Sequence, residues 1–190
     1  MLQIKLDSGL TYKKKLQEGD FQMAELRWHP LIQDWVIIAS HRQNRPQMPK
    51  EWCPFCPSSG NVADYEVLEY DNDFPALMQT PPEPDPVSGP FFKVAPAYGK
   101  CEVILYSPRH TATLPQLPGP HVRKLVDLWT ERFEVLRKDE KIKYIFIFEN
   151  RGEVVGVTMP HPHGQIYGYS FIPKKLELIM HYFGIVKCTI

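Results

Sequence analysis

The stretch 144–172, "YIFIFENRGEVVGVTMPHPHGQIYGYSFI", sets two apolar runs of strand length on either side of a glycine-bearing loop, "RGEVVGV". The second run opens on His-Pro-His. "YIFIFEN" (144–150) is aromatic and β-branched and predicts a buried strand, and "GQIYGYSFI" (164–172) predicts another. Upstream, "GPHVRKLVDLWTERFEVLRKDE" predicts a helix. Pro120 suits its first turn, and Val122, Leu125, Val126, Trp129, Phe133 and Leu136 recur at spacings of three and four. Further out, strands are predicted at "WVIIAS" (35–40), within "YEVLEYDNDFPAL" (65–77) ahead of an Asn/Asp turn, and at 91–95 and 101–106 around a Tyr-Gly turn. The proline-rich segments "MPKEWCPFCPSSG" (48–60) and "TPPEPDPVSGP" (80–90) predict loops, and a short helix could run from about Leu176 to Phe183. Many strands with one main amphipathic helix give an α+β domain, an antiparallel sheet packed on that helix.

The 190 residues suffice for one good-sized domain with a core, and 43% hydrophobic against 23% charged residues is the balance of a soluble globular chain. The 22 basic and 22 acidic side chains cancel, so nothing global favours nucleic acid or an anionic membrane. No run approaches the ~20 apolar residues of a bilayer span, and the start has no apolar signal-peptide region; the chain reads as cytoplasmic. Residues 1–24 read as a polar, lysine-rich leader and 174–190 as a divergent or truncated tail. Charge is uneven locally: Arg27, His29, His41, Arg42, Arg45 and Lys50 face a single acid, Asp34, which makes either an anion site or a solvated basic face.

The cysteines are Cys53, Cys56, Cys101 and Cys188. Without a signal peptide, the Cys53-Pro54-Phe55-Cys56 pair points to a metal or redox pair rather than a disulfide. Zinc takes four tetrahedral ligands, commonly two thiolates and two histidines, and proline-held turns lower the entropy lost on ordering them. Candidate histidines are His29, His41, His110, His121, His161, His163 and His181, with His110 and one of the His161/His163 pair at strand edges. On an extended segment, residues two apart share a face, so His161 and His163 would point into one space. Both could bind metal, or one could be a nucleophile whose second ring nitrogen is fixed as a donor to a carbonyl. Gly164 would let backbone amides approach a phosphate, and Gln165 continues the face with a neutral hydrogen-bonding group.

"HPHGQIYGYSFIP", "ENRGEVVGVTMP", "WHPLIQDWVIIASHRQNRP", "CPFC", "NDFPAL" and "SPRH" together resemble the galactose-1-phosphate uridylyltransferase family over residues 25–173, within the histidine-triad-like superfamily of α+β nucleotide-binding folds. In that superfamily a third histidine is usual where this chain has Gln165, the transferase version. The resemblance implies a structural zinc held by Cys53, Cys56, His110 and His161, with His163 as nucleophile and Gln165 on the transferred phosphoryl group. It further implies a uridine pocket lined by Asn72, Asp73 and Phe74. Asn150, Gly156 and Thr158 would lie along the nucleotide phosphates, Thr158 replacing the more usual serine, and Arg27, with Arg42 and Arg45, would stand near the diphosphate.

The implied reaction is transfer of a uridylyl group from UDP-glucose to galactose-1-phosphate through a uridylyl-histidine. Family members are about twice this length. The resemblance therefore implies a transferase or its amino-terminal half, working as a homodimer or with a separate second half. A nucleotide-sugar phosphorylase, a histidine-triad-like hydrolase and a non-catalytic zinc-stabilised fragment are the alternatives.

Overall fold

A computed structural model describes residues 24–40, 42, 52–87 and 89–184. Most of the expected leader, together with His41, Arg45, Lys50 and Cys188, lies outside the described residues. Among those described are seven strands, β1 (Ala24–His29), β2 (Asp34–Ala39), β3 (Leu68–Asp71), β4 (Val94–Pro96), β5 (Gly99–Leu105), β6 (Tyr144–Phe148) and β7 (His163–Tyr169). Two helices accompany them, α1 (Gly119–Leu136) and α2 (Lys174–Tyr182). The strands form two antiparallel sheets, a small one ordered β2-β1-β4 and a large one ordered β3-β5-β7-β6. The fold is α+β. The expected single sheet is corrected to two sheets, and the short helix expected near the carboxyl-terminal end joins α1 as α2. None of the described helices is long and apolar enough to cross a membrane.

Alternation along the central strands builds the layers. In β5 and β7, Ile104 and Ile166 point to one face of the large sheet, where they bury against Leu125 and Leu136 of α1 with Tyr106, Leu117 and Ile142. Cys101 and Tyr167 point to the other face and bury against Ala24 and Leu26 of β1, with Leu77 and Ala97. The large sheet is thus sandwiched between α1 and the small sheet. A fully buried Leu or Ile contributes about 1.5–3 kcal/mol, several times an exposed ion pair, so these two clusters fix the layering.

The same alternation turns Glu102 of β5 toward α1. Glu102 is fully buried, and Arg132 donates to both its carboxylate oxygens, Nε to Oε2 at 2.9 Å and Nη2 to Oε1 at 2.6 Å. Arg132 therefore lies on the core side of α1. Val126 and Phe133, expected there, are each 40% exposed, and Leu128 packs on the core instead. The helix stripe is rotated toward Arg132 because a buried carboxylate must be paired.

Other departures have equally local causes. Strand β1 was not expected as a strand, although Ala24, Leu26 and Trp28 alternate with polar residues; it becomes the centre of the small sheet. Phe91 and Phe92 were expected in a strand but are 71% and 65% exposed, the strand beginning at Val94. Strand β6, expected to be buried, is an edge strand in which Phe146 and Ile147 remain more than a third exposed.

Candidate metal centre and histidine site

Three separate segments supply the cysteines and histidines. In the first, the Cys53 loop closes as a turn, the Cys56 amide donating to the Cys53 carbonyl at 3.2 Å and the Ser59 amide to the Cys56 carbonyl at 2.9 Å. A single 3-10 turn at Pro57–Ser59 follows, and Gly60, at φ 75°, ends it in the left-handed region that glycine adopts freely. The second segment is the exit from β5, where the Arg109 amide donates to Ser107 Oγ at 3.2 Å and His110 turns back toward the loop. The third is His161, just before β7 and 1% exposed.

These segments converge. Cys53 Sγ lies 3.5 Å and Cys56 Sγ 3.7 Å from His161 Nδ1, Cys56 Sγ lies 3.6 Å from His110 Nδ1, and the four ligand atoms all fall within 4.8 Å of one another. Bonds of about 2.0–2.3 Å to a tetrahedral ion require ligand atoms about 3.3–3.8 Å apart, so the donor set has room for one ion. The tautomer fits as well. The Ser107 carbonyl can only accept, so the 2.9 Å contact puts the His161 proton on Nε2 and leaves Nδ1 bare toward the sulfurs. Burial, with His110 and His163 adding to it against the Ser107 hydrogen bond, holds His161 down to about 4, so the ring is neutral near pH 7. Burial, reinforced by Cys53 beside it, pushes the Cys56 thiol up. A thiol raised in this way is a poor thiolate alone and a good one beside a cation. Cys53, Cys56, His110 and His161 could therefore hold a metal ion.

His163 is used differently. Strand β7 begins at His163, so strand alternation does not extend back to His161, and it is hydrogen bonding that separates the two imidazoles. His163 Nδ1 donates to the His161 carbonyl at 2.8 Å, which leaves Nε2 with a free lone pair. Burial pushes His163 below its ordinary value, against the hydrogen bond to His161 and the charge of Glu149, and favours the neutral ring. Gln165 follows on the same face, between Val103 of β5 and Phe148 of β6. Gly164 faces the opposite side and is buried under the Tyr106 hydroxyl, so its lack of a side chain serves packing against α1's layer rather than the face of His163.

The remaining expected site residues flank this strand. Asn72, Asp73 and Phe74 form a turn beyond β3, with the Phe74 amide donating to Asn72 Oδ1 at 2.9 Å and the Tyr70 hydroxyl donating to the Asp73 carboxylate at 3.2 Å. The Asn72 amide donates to the Cys101 carbonyl, in the same row as Tyr167. Four residues of strand, about 13 Å, separate that row from His163. Arg42 is tied to the turn through the Phe74 carbonyl. Asn150, Gly156 and Thr158 are exposed in the loop between β6 and β7, which leaves the sheet beside Gln165, and Gly156 sits at φ 74°. Arg27, in the small sheet, is held by Glu25 at 2.5 Å and faces Asp85 at 3.8 Å. His29 Nδ1 accepts from the Ile32 amide at 3.5 Å and His121 Nε2 contacts the Tyr106 carbonyl at 2.7 Å, so neither joins the cluster.

Tyr65 was not anticipated. Its hydroxyl lies 2.8 Å from His161 Nε2, 2.8 Å from the Phe55 carbonyl and 3.2 Å from the Ser107 carbonyl. Burial, then Cys56 and Cys53, push its phenol up, so it stays a protonated donor. A tyrosine outside every spacing pattern gives no sequence signal for this.

The family model described as galactose-1-phosphate uridyl transferase, N-terminal domain, matches residues 14–173. The chain belongs to this family. Galactose-1-phosphate uridylyltransferase of Thermotoga maritima is 42% identical over 162 residues, covering 82% of this chain and 50% of that relative. The protein of the same name from Rattus norvegicus is 34% identical over 167 residues, covering 78% of this chain and 44% of the relative. A solved uridylyltransferase superimposes with a TM-score of 0.72 at 27% identity, covering 83% of this chain and 50% of that one. An ADP-glucose phosphorylase from Arabidopsis thaliana, at 22% identity and a TM-score of 0.56 over 87% of this chain and 56% of that one, shares the fold alone. The chain spans about half the length of the curated relatives it matches.

Proposed function

We propose that this chain is the nucleotide-handling half of a galactose-1-phosphate uridylyltransferase, and that residues 25–173 form the unit that accepts a uridylyl group. The observation that supports this most directly is the division of labour in His-Pro-His: His161 turns a bare Nδ1 to the cysteines while its own carbonyl fixes the proton of His163 on Nδ1.

In this reading His163 Nε2 attacks the α-phosphorus of UDP-glucose. The N–P bond forms as the P–O bond to glucose-1-phosphate breaks, and the resulting imidazolium-like charge is held by the His161 carbonyl. A phosphate oxygen of galactose-1-phosphate then attacks the same phosphorus, giving UDP-galactose and returning the neutral ring. In-line displacement at phosphorus asks chiefly for positioning and charge stabilisation. Gln165 would contact the phosphoryl oxygens, the Asn150, Gly156 and Thr158 loop would run along the phosphates, and Asn72, Asp73 and Phe74 would line the uridine pocket. Arg42, and Arg27 if released from Glu25, would supply positive charge. Zinc suits the two-thiolate, two-imidazole donor set, and when bound supplies a rigid cross-link between the Cys53 loop and the segment that aims His163. A homodimer or a separate second half would complete the acceptor site.

The test is covalent capture. Zinc-loaded protein is incubated with UDP-glucose, quenched under alkaline denaturing conditions and weighed intact, with ADP-glucose in parallel. A uridylyl adduct that disappears in His163→Gly is expected, and a folded, zinc-loaded protein that never forms one overturns the proposal.

A further inference from the structure

The Tyr65 hydroxyl touches all three segments that carry the candidate metal ligands. Phe55 lies between the two cysteines, Ser107 begins the turn that delivers His110, and His161 is itself a candidate ligand. Donor and acceptor roles close consistently. His161 Nε2–H is shared between the Ser107 carbonyl at 2.9 Å and the Tyr65 oxygen at 2.8 Å, which leaves the Tyr65 proton for the Phe55 carbonyl at 2.8 Å. Tyr65 is nine residues past Cys56, so the loop that leaves the cysteines returns to brace them. Phe55 packs edge-on to Tyr70 at 5.2 Å and lies 6.2 Å from the His161 ring, which gives the braced loop an apolar backing.

From this geometry we infer that Tyr65 is a positioning residue for the metal centre, setting the Cys53 loop against His161 so that the four ligand atoms are in place before the ion arrives. The inference rests on the metal reading of the cluster and goes beyond it, because the same four ligands could have been assembled by the ion alone. A preformed site loses less ordering entropy on binding than one assembled by the metal, and removing an outer partner of a ligating histidine weakens metal binding by about ten- to a hundredfold.

The test compares wild type, Tyr65→Phe and Tyr98→Phe by titration with zinc against a chromophoric chelator, and with cobalt(II) by visible absorption. Tyr98 is the control: its hydroxyl donates to Asp139 at 2.6 Å, away from the cluster, so its loss matches the lost hydrogen bond without touching the site. Tyr65→Phe is expected to bind zinc about ten- to a hundredfold more weakly and to shift the cobalt bands, with Tyr98→Phe unchanged in both. Wild-type affinity and spectrum in Tyr65→Phe, or equal losses in the two variants, overturn the inference. A folded wild type that takes up no metal overturns the metal reading itself, and this inference with it. A second measurement needs no variant: in metal-free wild type, nitrogen NMR should find His161 protonated on Nε2 alone, with the Tyr65 hydroxyl proton protected from exchange. Mixed tautomers or a freely exchanging hydroxyl overturn the inference.

Discussion

Gly164 separates a packing role from a catalytic one, and Gly164→Ala is the perturbation that reads the difference. A β-carbon there would lie 2.0 Å from the Tyr106 hydroxyl oxygen, 2.8 Å from Cζ and 3.0 Å from Cε1. Ordinary contact starts at 3.4 Å, so the ring must retreat by more than an ångström. Tyr106 has nowhere to retreat. It is 2% exposed, stands edge-on to Trp129 at 6.1 Å and belongs to the cluster that seats α1. Gly164 has no positive φ, so alanine meets no backbone strain and even removes glycine's entropic cost of roughly 0.5–1 kcal/mol. Against overpacking costs of about 1–3 kcal/mol, at the upper end for so short a contact, the net expectation is a loss of about 2 kcal/mol. With a urea m-value of about 2 kcal/mol/M, the unfolding midpoint falls by about 1 M. Tyr106→Phe removes the oxygen at 2.0 Å, so Gly164→Ala in that background should cost less than half as much, a coupling of about 1 kcal/mol. Urea unfolding at fixed zinc by circular dichroism measures all four proteins. A Gly164→Ala midpoint at the wild-type value, or no rescue by Tyr106→Phe, refutes the packing argument. If that variant also folds normally but forms no uridylyl adduct, the glycine serves phosphate approach instead.

Three further expectations follow from named contacts. Arg132→Leu leaves fully buried Glu102 without its two-point partner and should destabilise by about 3–5 kcal/mol, seen in the same urea assay; a loss under about 1 kcal/mol would mean that the carboxylate is protonated or re-paired. Lys124→Ala removes the Glu66 partner on the surface, where both side chains are well exposed, and should leave the unfolding midpoint unmoved. Chelation of wild type should lower the melting temperature and make it depend on free zinc, with a contribution of about 4 kcal/mol at a thousandfold excess over Kd. Cys53→Ser should lose both the zinc stoichiometry and that dependence; an unchanged zinc content would remove Cys53 from the ligand set.

Much of the architecture was legible because it rests on local pattern. The strands at 35–40 and 164–172, the helix with its proline in the first turn, and the turn-rich cysteine loop are each set by residues within a few positions of one another. The short helix at the carboxyl-terminal end was legible too, observed as α2. Where the pattern misled, a distant partner intervened. The α1 stripe shifted because Glu102, thirty residues away, needed Arg132. Strand β6 reads as buried by composition, yet its place at a sheet edge is settled by which strand it pairs with, and composition carries no such information. Phe91 and Phe92 read as strand by propensity but found no partner strand.

In the site the same boundary holds. The sequence by itself determined the chemical inventory: a Cys-x2-Cys turn, histidines at two strand edges, and a glutamine two residues beyond the second histidine of the pair. Residue types and short spacings are local properties of a chain. Tertiary structure alone decided which nitrogen of His161 is bare, because that depends on the Ser107 carbonyl delivered from far along the chain, whereas His163 is fixed by the carbonyl of His161, two residues before it. It alone brought Tyr65 to the cluster and put Gly164 under Tyr106. Hydrogen-bond direction and steric fit act over about 3–4 Å, and only the folded chain brings residues fifty or a hundred positions apart within that distance.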